Sequence, residues 1–295
     1  MTMGGENSPD DSGLEAVRPN LLGRLLAKDG PVVMGVLNLT PDSFSDGGQF
    51  IAPEAALRQA KRLIEEGADI IDIGAESTRP YGGAQPVSLE EELARLQPVL
   101  PAVVRMGVPV SIDTLKAEVA LWALNEGASI VNDVWGLQRD PNMARVVAQH
   151  GVPVVIMHNR DKADPGLDIV ADIDAFFTRS LEIAAEAGIA RNAILLDPGI
   201  GFGKIAEQSM QAIQALGSFA PFGLPILVGA SRKRFISTVS PSEPMDRIGG
   251  SLAAHVIAFL NGAAIIRTHD VAVTIQALRV AAAIRNIKRP GHAEP

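Results

Sequence analysis

Eight short runs of aliphatic and β-branched residues, separated by segments of helical periodicity, constrain the fold of this chain more than any other feature. Each run is bounded by Gly, Pro, Asp or Asn, as buried strands usually are. The runs are VVMGVLNL (32–39), DIIDIG (69–74), VPVSID (108–113), SIVNDV (129–134), VPVVIMH (152–158), AILLDPG (193–199), PILVGAS (225–231) and AAIIRTH (263–269). Eight strand-then-helix units predict an α/β fold, a single (β/α)8 TIM barrel.

Helical patterns fill most of the intervals between these runs. The predicted helices span 53–68, 88–104, 114–128, 168–188, 207–216, 246–262 and 271–287. We expect Pro98 and Pro101 to kink or divide the second of them, which begins at the capping residue Ser88. The alternative is a doubly wound open sheet, which usually carries GxGxxG after its first strand. Here that strand runs into NLTPDSFSDGG, so the barrel is favoured.

Charge and composition narrow the class of protein. The 26 Lys and Arg residues against 34 Asp and Glu residues leave a net charge of −8, which argues against nucleic-acid and anionic-membrane partners. The absence of cysteine excludes disulfides, thiolate metal sites and a cysteine nucleophile. Neither a signal-peptide pattern nor a long apolar run is present. We therefore expect a cytoplasmic protein, with polar tails at 1–15 and 290–295 flanking one domain over 16–289.

Polar residues follow every predicted strand. They are Asn38, then Glu76, Ser77, Thr78 and Arg79, then Asp113, Asn132, Asp133, His158, Asp197, Ser231, Arg232, Lys233, Arg267 and His269. A single Asp in such a place is more often a helix N-cap than a catalyst. In a closed barrel, however, all eight strand ends meet at one mouth, where burying many unpaired polar groups is costly. The pattern therefore predicts a ligand site there.

The residue types indicate which ligand. Asp113, Asn132 and Asp197 supply acceptors and one amide, which suits a flat heterocycle with amino and ring N–H groups. Lys233 can donate to a carbonyl oxygen of such a ring. No HExxH, cluster of histidines or Ser-His-Asp spacing is present.

Cationic residues at the same strand ends suggest an anion site for phosphate or carboxylate, formed by Arg79, Arg267 and His269. The alternative for Arg267 and His269 is a salt bridge to Asp42, Asp270 or another acid. A lone Asn38 beside a diphosphate suggests Mg²⁺, which keeps waters and phosphate oxygens as ligands.

Two segments rich in Ser, Thr, Gly and Pro follow the first two strands, NLTPDSFSDGGQF (38–50) and AESTRPYGGAQPVS (75–88). Segments of this composition often act as lids over a substrate, although ordinary βα loops are the alternative.

Longer motifs resemble one known family. The chain is similar to dihydropteroate synthases of the pterin-binding TIM-barrel superfamily over about residues 30–285. The segments that carry the resemblance are MGVLNLTPDSFSDGG (34–48), IDIGAESTRP (71–80), SIDT (111–114), VND (131–133), LLDPGIGFGK (195–204), VGASRKRF (228–235), GGSLAAHVIAFLNGA (249–263) and RTHDV (267–271).

The resemblance implies a reaction and a set of site residues. The reaction condenses (7,8-dihydropterin-6-yl)methyl diphosphate with 4-aminobenzoate, giving 7,8-dihydropteroate and diphosphate, and such enzymes are sulfonamide targets. The implied pterin contacts are Asp113, Asn132, Met157, Asp197, Phe202, Gly229 and Lys233. The implied diphosphate contacts are Asn38, Thr78, Arg267 and His269, with Asn38 also the Mg²⁺ ligand. The implied 4-aminobenzoate contacts and loop residues are Pro41, Asp42, Phe44, Ser77, Arg79, Pro80, Lys233 and Arg234.

The implied mechanism is an SN1-like substitution. Its expected catalytic residues are Asp113, Asp197, Lys233, Arg267 and His269. The charge on the departing diphosphate must be stabilised, and the arylamine needs no strong base because it is already nucleophilic. The family also implies a homodimer, for which the segments 246–262 and 271–287 could supply an apolar face.

Two alternative functions compete with this one. A catalytically silent paralogue would retain the pterin pocket without turnover. A methyltetrahydrofolate-binding corrinoid methyltransferase would share the Asp, Asn and Asp set but would not need TPDSFSDGG, SRK or RTHD.

The chain departs from the family pattern at Ala75, at Ile205, at Ser209, at Trp135 and in a second loop about two residues longer, with Tyr81 added. None of these departures removes an expected catalytic group. Tyr81 and Trp135 bear on loop dynamics or sulfonamide sensitivity, or are packing residues.

Overall fold

Eight parallel strands close into a barrel in the order of the chain, β1 to β8, in a computed structural model that describes residues 21–28, 30–40, 53–76 and 87–287. The strands are β1 Val32–Asn38, β2 Ile70–Gly74, β3 Val110–Asp113, β4 Ile130–Asp133, β5 Val154–Met157, β6 Ile194–Asp197, β7 Ile226–Val228 and β8 Ala263–Thr268. Pairing of β1 with β8 completes the closure. The predicted TIM barrel is therefore confirmed. Both predicted tails lie outside the described residues, so the domain boundaries stay predictions.

Helices surround the barrel. They are α1 Leu21–Leu26, α2 Pro53–Glu65, α3 Leu89–Leu96, α4 Leu100–Val104, α5 Ala117–Asn125, α6 Met143–His150, α7 Ile169–Glu186, α8 Ala206–Gln214, α9 Arg234–Val239, α10 Ile248–Leu260 and α11 Val271–Arg285. Among the described helices, none is both long enough and apolar enough to cross a membrane.

The prolines divide the helix predicted over 88–104, as expected. Its first part begins where the Ser88 side chain accepts a hydrogen bond from the Glu91 N–H at 3.2 Å. The helix α6 was not predicted, so the fourth predicted strand had no helix after it. This helix has only eight residues, and its N-cap, Asn142, makes no side-chain capping bond, so the local pattern is weak.

The barrel interior is apolar at the end where the strands begin. Side chains on a strand alternate between its two faces, so every second residue points inward. An inner cluster of such residues consists of Val32, Met34, Ile70, Ile130, Val155, Leu195, Leu227 and Ile265. Leu21 and Leu22 of α1 pack against this cluster and cover it. The intervening residues face the helices and form a larger core. The closed lower end leaves the carboxyl ends of the strands as the place for a site.

Candidate active site

Polar side chains replace apolar ones at the carboxyl end of the barrel interior. Each of them lies two residues after a residue of the inner layers, and therefore on the same inward face. The pairs are Ile70 and Asp72, Ser111 and Asp113, Ile130 and Asn132, Leu195 and Asp197, and Ile265 and Arg267. The barrel thus places Asp113, Asn132, Asp197 and Arg267 at one mouth, as the sequence predicted.

Arg267 connects three strands through its guanidinium group. Its Nε donates to Oδ2 of Asp72 at 2.6 Å, and its Nη2 donates to Oδ2 of Asp113 at 2.7 Å. Asp72 also accepts a hydrogen bond from Nδ2 of Asn132 at 3.1 Å. Burial alone would lower the pKa of Arg267, but the charges of Asp72 and Asp113 raise it above its usual range. Arg267 therefore carries its charge between these two carboxylates, whereas Asp270 pairs with Arg232 at 2.6 Å.

Several acceptor atoms at this mouth have no hydrogen-bond partner among the residues that the structure describes. They are Oδ1 of Asp72, Oδ1 of Asp113, Oδ1 of Asn132 and the hydroxyl of Ser111. A buried polar atom left without a partner costs about 1–3 kcal/mol, so native proteins rarely bury several together. This cluster is built for a ligand that brings donors.

Burial also shifts the ionisation of two carboxyls of the site, those of Asp113 and Asp197. It raises the pKa of Asp113 to about 7, against the opposing effect of Arg267. It raises the pKa of Asp197 to about 6, although the N–H of Gly199 donates to its Oδ1 at 2.7 Å. Perturbed carboxyls in a cleft are typical of functional sites. A ligand that carries N–H donors or positive charge would favour their ionised forms.

An apolar wall lies beside these acceptors. Val134, Met157 and Phe202 form a small buried cluster against which the half-buried Leu115 and Trp135 pack. The ammonium group of Lys233 lies 4.0 Å from the centre of the Phe202 ring. A cation over an aromatic face and a flat apolar surface together suit a planar heterocycle.

The ends of β7 and β8 are joined by hydrogen bonds. His269 Nδ1 lies 3.0 Å from the Ser231 hydroxyl, and Arg232, with a φ of 57°, pairs with Asp270. At Gly229, a Cβ atom would come within 3.7 Å of the Arg267 side chain. The loops after the two strands therefore form one unit beside the mouth.

Other polar strand-end residues have structural contacts. Asp133 accepts hydrogen bonds from the N–H groups of Trp135 and Leu137 at 2.9 and 2.7 Å, which hold the turn after β4. His158 is buried and contacts Asp172 at 2.9 Å. Because each follows an inward-facing residue directly, it lies on the opposite face of its strand.

Glu76 joins the two ends of the second long loop. One of its oxygens accepts from the Val87 N–H at 3.3 Å, and the other contacts Nζ of Lys116 at 2.5 Å. Lys116 also contacts the buried Glu92 at 2.6 Å, and Glu92 accepts from the Thr114 hydroxyl at 2.8 Å. No sequence pattern predicts this network, because its members come from three separate segments.

Of the residues predicted to contact the diphosphate, Mg²⁺ and 4-aminobenzoate, several lie outside the described part of the chain. Asn38 ends β1, half-buried, opposite Gly74, and Arg234 is exposed at the start of α9. Seven predicted loop residues lie outside the described residues, namely Pro41, Asp42, Phe44, Ser77, Thr78, Arg79 and Pro80. Tyr81, which the second loop has in addition to the family pattern, also lies outside the described residues. Within the described ranges, no group of three or more His, Asp or Glu side chains is placed to hold a metal ion.

Sequence reasoning missed Asp72 and Lys204. Asp72 lies within an apolar run, two residues after the inward-facing Ile70, so the alternation of faces would have indicated it. Lys204 follows the DPGIGFG motif, and no local pattern shows that its side chain is buried.

An eight-stranded barrel with buried acceptors beside this apolar wall suits a class of enzymes that bind a planar heterocycle. Residues 34–269 match the family model described as "Pterin binding enzyme". The dihydropteroate synthase of Bacillus subtilis is 46% identical over 245 residues, which cover 83% of this chain and 85% of that protein. The chain therefore belongs to the dihydropteroate synthase family.

Solved structures agree with this assignment. A dihydropteroate synthase of Xanthomonas albilineans with 4-aminobenzoic acid superposes with a TM-score of 0.84 at 44% identity, covering 88% of this chain and 95% of that one. A dihydropteroate synthase of Clostridium difficile, solved in the presence of pteroic acid, superposes with a TM-score of 0.83 at 45% identity, covering 87% and 97%.

Proposed function

We propose that this chain condenses (7,8-dihydropterin-6-yl)methyl diphosphate with 4-aminobenzoate to give 7,8-dihydropteroate and diphosphate. The observation that carries the proposal is the set of unpartnered acceptors on Asp72, Asp113 and Asn132 beside the wall of Met157 and Phe202. Two solved relatives support it, because one is a structure with 4-aminobenzoic acid and the other was solved in the presence of pteroic acid.

The pterin ring binds between the acceptors and the wall. Asp113, Asn132 and Asp197 accept hydrogen bonds from its amino and ring N–H groups. Lys233 donates to its carbonyl oxygen. The ring packs on Met157 and Phe202, and Gly229 leaves space beside Arg267. This arrangement partners the Oδ1 atoms of Asp113 and Asn132, which removes their desolvation cost.

The diphosphate binds at the outer edge of the same mouth. Arg267 and His269 face it, and Nη1 of Arg267 takes part in neither of the contacts to Asp72 and Asp113. Asn38, with Thr78 of the second loop, completes this set.

A magnesium ion fits this donor set. A half-buried amide oxygen at Asn38 is a suitable single protein ligand, because Mg²⁺ keeps waters and takes its other ligands from the substrate. When bound, Mg²⁺ neutralises negative charge on the diphosphate oxygens.

In the proposed reaction, the bond to the diphosphate breaks before the bond to 4-aminobenzoate forms. As the bond between the methylene carbon and the diphosphate oxygen lengthens, positive charge spreads from the methylene group into the ring. The carboxylates of Asp113 and Asp197 stabilise that charge. Arg267 and His269 stabilise the departing diphosphate.

The amine of 4-aminobenzoate then attacks the methylene carbon and loses a proton to solvent water, so no strong base is needed. The residues expected around this second substrate are Pro41, Asp42, Phe44, Ser77, Arg79, Pro80, Lys233 and Arg234. The cationic side chains among them suit its carboxylate.

We also propose that the protein is a homodimer through α10 and α11. These neighbouring helices expose Ile257, Leu260, Val280 and Ile284, large apolar side chains that a single barrel leaves in water. Apolar patches of this kind are typical of subunit interfaces.

A coupled assay of diphosphate release tests the function. Purified protein is given the pterin diphosphate and Mg²⁺, with and without 4-aminobenzoate. Release that depends on 4-aminobenzoate and yields dihydropteroate is the expected result. Pterin binding without release would instead identify a silent paralogue. Methyl transfer from methyltetrahydrofolate to a corrinoid would identify a methyltransferase.

A further inference from the structure

Lys204 is a buried lysine directly behind the pterin side of the mouth. Its side chain is only 2% exposed. Its ammonium group donates to the carbonyl oxygens of Gly199 and Phe202 at 2.9 and 3.1 Å, and it lies 2.6 Å from Nδ1 of His158. A buried ammonium is costly unless acceptors surround it. Its three contacts therefore constrain the loop that carries Gly199 and Phe202.

The loop that these contacts constrain runs from Asp197 to Lys204. It carries Asp197 at one end and the Phe202 ring near the other. Between them the glycines at 199, 201 and 203 have positive φ values of 66°, 81° and 55°. Such a backbone loses much conformational freedom when it becomes ordered. Two of its carbonyl groups converge on one ammonium, which joins the two halves of the loop.

The glycine nearest to Asp197 could not be replaced. A Cβ atom at Gly199 would lie 1.9 Å from the carbonyl oxygen of His158. The N–H of Gly199 meanwhile holds Oδ1 of Asp197 at 2.7 Å. The position of Gly199, which Lys204 contacts from behind, therefore determines the position of the Asp197 carboxylate.

A second set of contacts supports Lys204 from the side away from the mouth. Nε2 of His158 lies 2.9 Å from Asp172, which also accepts from Nη1 of Arg160 at 2.8 Å. Burial, together with the charge of Lys204, lowers the pKa of His158 to about 3. The ring is therefore neutral at pH 7, and the contacts assign Nδ1 as acceptor and Nε2–H as donor.

We propose that Lys204 is a positioning residue for pterin binding, whose ammonium holds Gly199 and Phe202 and thereby aligns the Asp197 carboxylate and the Phe202 ring. It acts through these two groups and does not touch the substrate. The proposal rests on the proposed function, because it takes Asp197 and Phe202 to be pterin contacts.

A pH dependence follows from the same geometry. Burial lowers the pKa of Lys204 to about 7. The groups that face it are Asp197 and Asp172, which favour its charge, and Lys233 and Arg160, which oppose it, beside the neutral ring of His158. Below pH 7 the ammonium makes all its contacts. Above pH 7 it loses a proton, which weakens its contacts with Gly199 and Phe202, whereas ionisation of Asp113, with a pKa of about 7, favours pterin binding.

The test replaces Lys204 by methionine, which keeps the length of the chain but removes the charge and the donors. We expect the KM for the pterin diphosphate to rise at least tenfold at pH 6.5, while the KM for 4-aminobenzoate changes less than twofold. Lys204→Gln restores two donors without charge and should recover part of the loss. Lys28→Met is the matched control, because Lys28 pairs with Asp69 at the other end of the barrel.

Equal changes in both KM values, or an unchanged pterin KM in folded Lys204→Met, would overturn the proposal. A calorimetric titration with 6-hydroxymethyl-7,8-dihydropterin needs no turnover, and this probe lacks the titrating diphosphate. The dissociation constant of the wild type, divided by that of Lys204→Gln at the same pH, should rise at least threefold between pH 6.5 and 8.5, because Asp113 titrates in both proteins. A ratio that does not change with pH would contradict the proposal. Binding without turnover would instead contradict the proposed function alone.

Discussion

Along β6, Leu195 packs into the apolar cluster beneath α1, whereas Asp197, two residues later on the same inward face, lies among the acceptors of the candidate site. β8 shows the same change, from Ile265 to Arg267. The two layers are separated by two residues of an extended strand, about 7 Å. They nevertheless bury opposite kinds of side chain.

The difference separates stability from function within each strand. The apolar end is complete in the isolated protein, since Leu21 and Leu22 of α1 cover it. The polar end leaves several acceptors without partners among the described residues. One end therefore stabilises the fold, and the other carries a cost that a ligand relieves.

The largest expected effect comes from the polar end of β6. Asp197→Asn keeps the shape of the side chain but removes the charge that stabilises the developing cation. We expect kcat/KM for the pterin diphosphate to fall by about 10²–10³-fold. Steady-state kinetics measure this, with Asp174→Asn on the exposed face of α7 as the control. Near-normal turnover by a folded Asp197→Asn variant would refute the proposed mechanism.

The matching change at the apolar end is Leu195→Ala. It should lower the free energy of unfolding by about 2–5 kcal/mol, because it opens a cavity beneath α1. The KM for the pterin should stay within twofold of the wild-type value. Denaturant unfolding and kinetics check both statements, with the exposed Leu121→Ala as the control. If Leu195→Ala changed the pterin KM as much as the stability, the two ends would not be independent.

A third prediction concerns pH. Burial raises the pKa of Asp197 from 3.8 to about 6, so the unfolded chain releases this proton at a lower pH than the folded protein does. The carboxyl therefore lowers the free energy of unfolding as pH rises from 4 to 6. Asp197→Asn should become more stable than the wild type across this range, by up to about 3 kcal/mol at pH 7.

Unfolding curves of both proteins at several pH values measure this difference. Leu195→Ala serves as the comparison, because its offset from the wild type should not change with pH. If the free energies of unfolding of Asp197→Asn and the wild type changed equally with pH, the buried charge of Asp197 would not destabilise the polar end.

The smallest expected effect is spectroscopic. The chain has two tryptophans. Trp135 packs beside Met157 and Phe202 at the polar end, whereas Trp122 lies on α5 against the outer core. Pterin binding should quench the emission of the wild type and of Trp122→Phe, but not of Trp135→Phe. Equal quenching in both variants would place Trp135 away from the ligand.

Sequence patterns were sufficient where the deciding interaction is local. The apolar runs identified all eight strands, and Pro98 marked the break between α3 and α4. The polar residues after the runs included Asp113, Asn132, Asp197 and Arg267, because a barrel brings all strand ends to one mouth. Patterns were insufficient for α6, whose short length and uncapped start leave little local preference.

The partners of these side chains were not accessible in this way. Arg267 was expected to bind an anionic substrate or to pair with Asp42, Asp270 or another acid, and only the barrel shows that the acids are Asp72 and Asp113. The role of Lys204 was hidden for the same reason, since its contact His158 lies 46 positions earlier in the chain.

By itself, then, the sequence determined the order of strands and helices, the closure of the barrel and the chemical character of its mouth. These follow from periodicity and from short-range preferences, which act between residues a few positions apart. The tertiary structure alone decided which charges meet. Arg267 and Asp72 lie 195 positions apart, so only closure of β8 onto β1 beside β2 brings them within 2.6 Å.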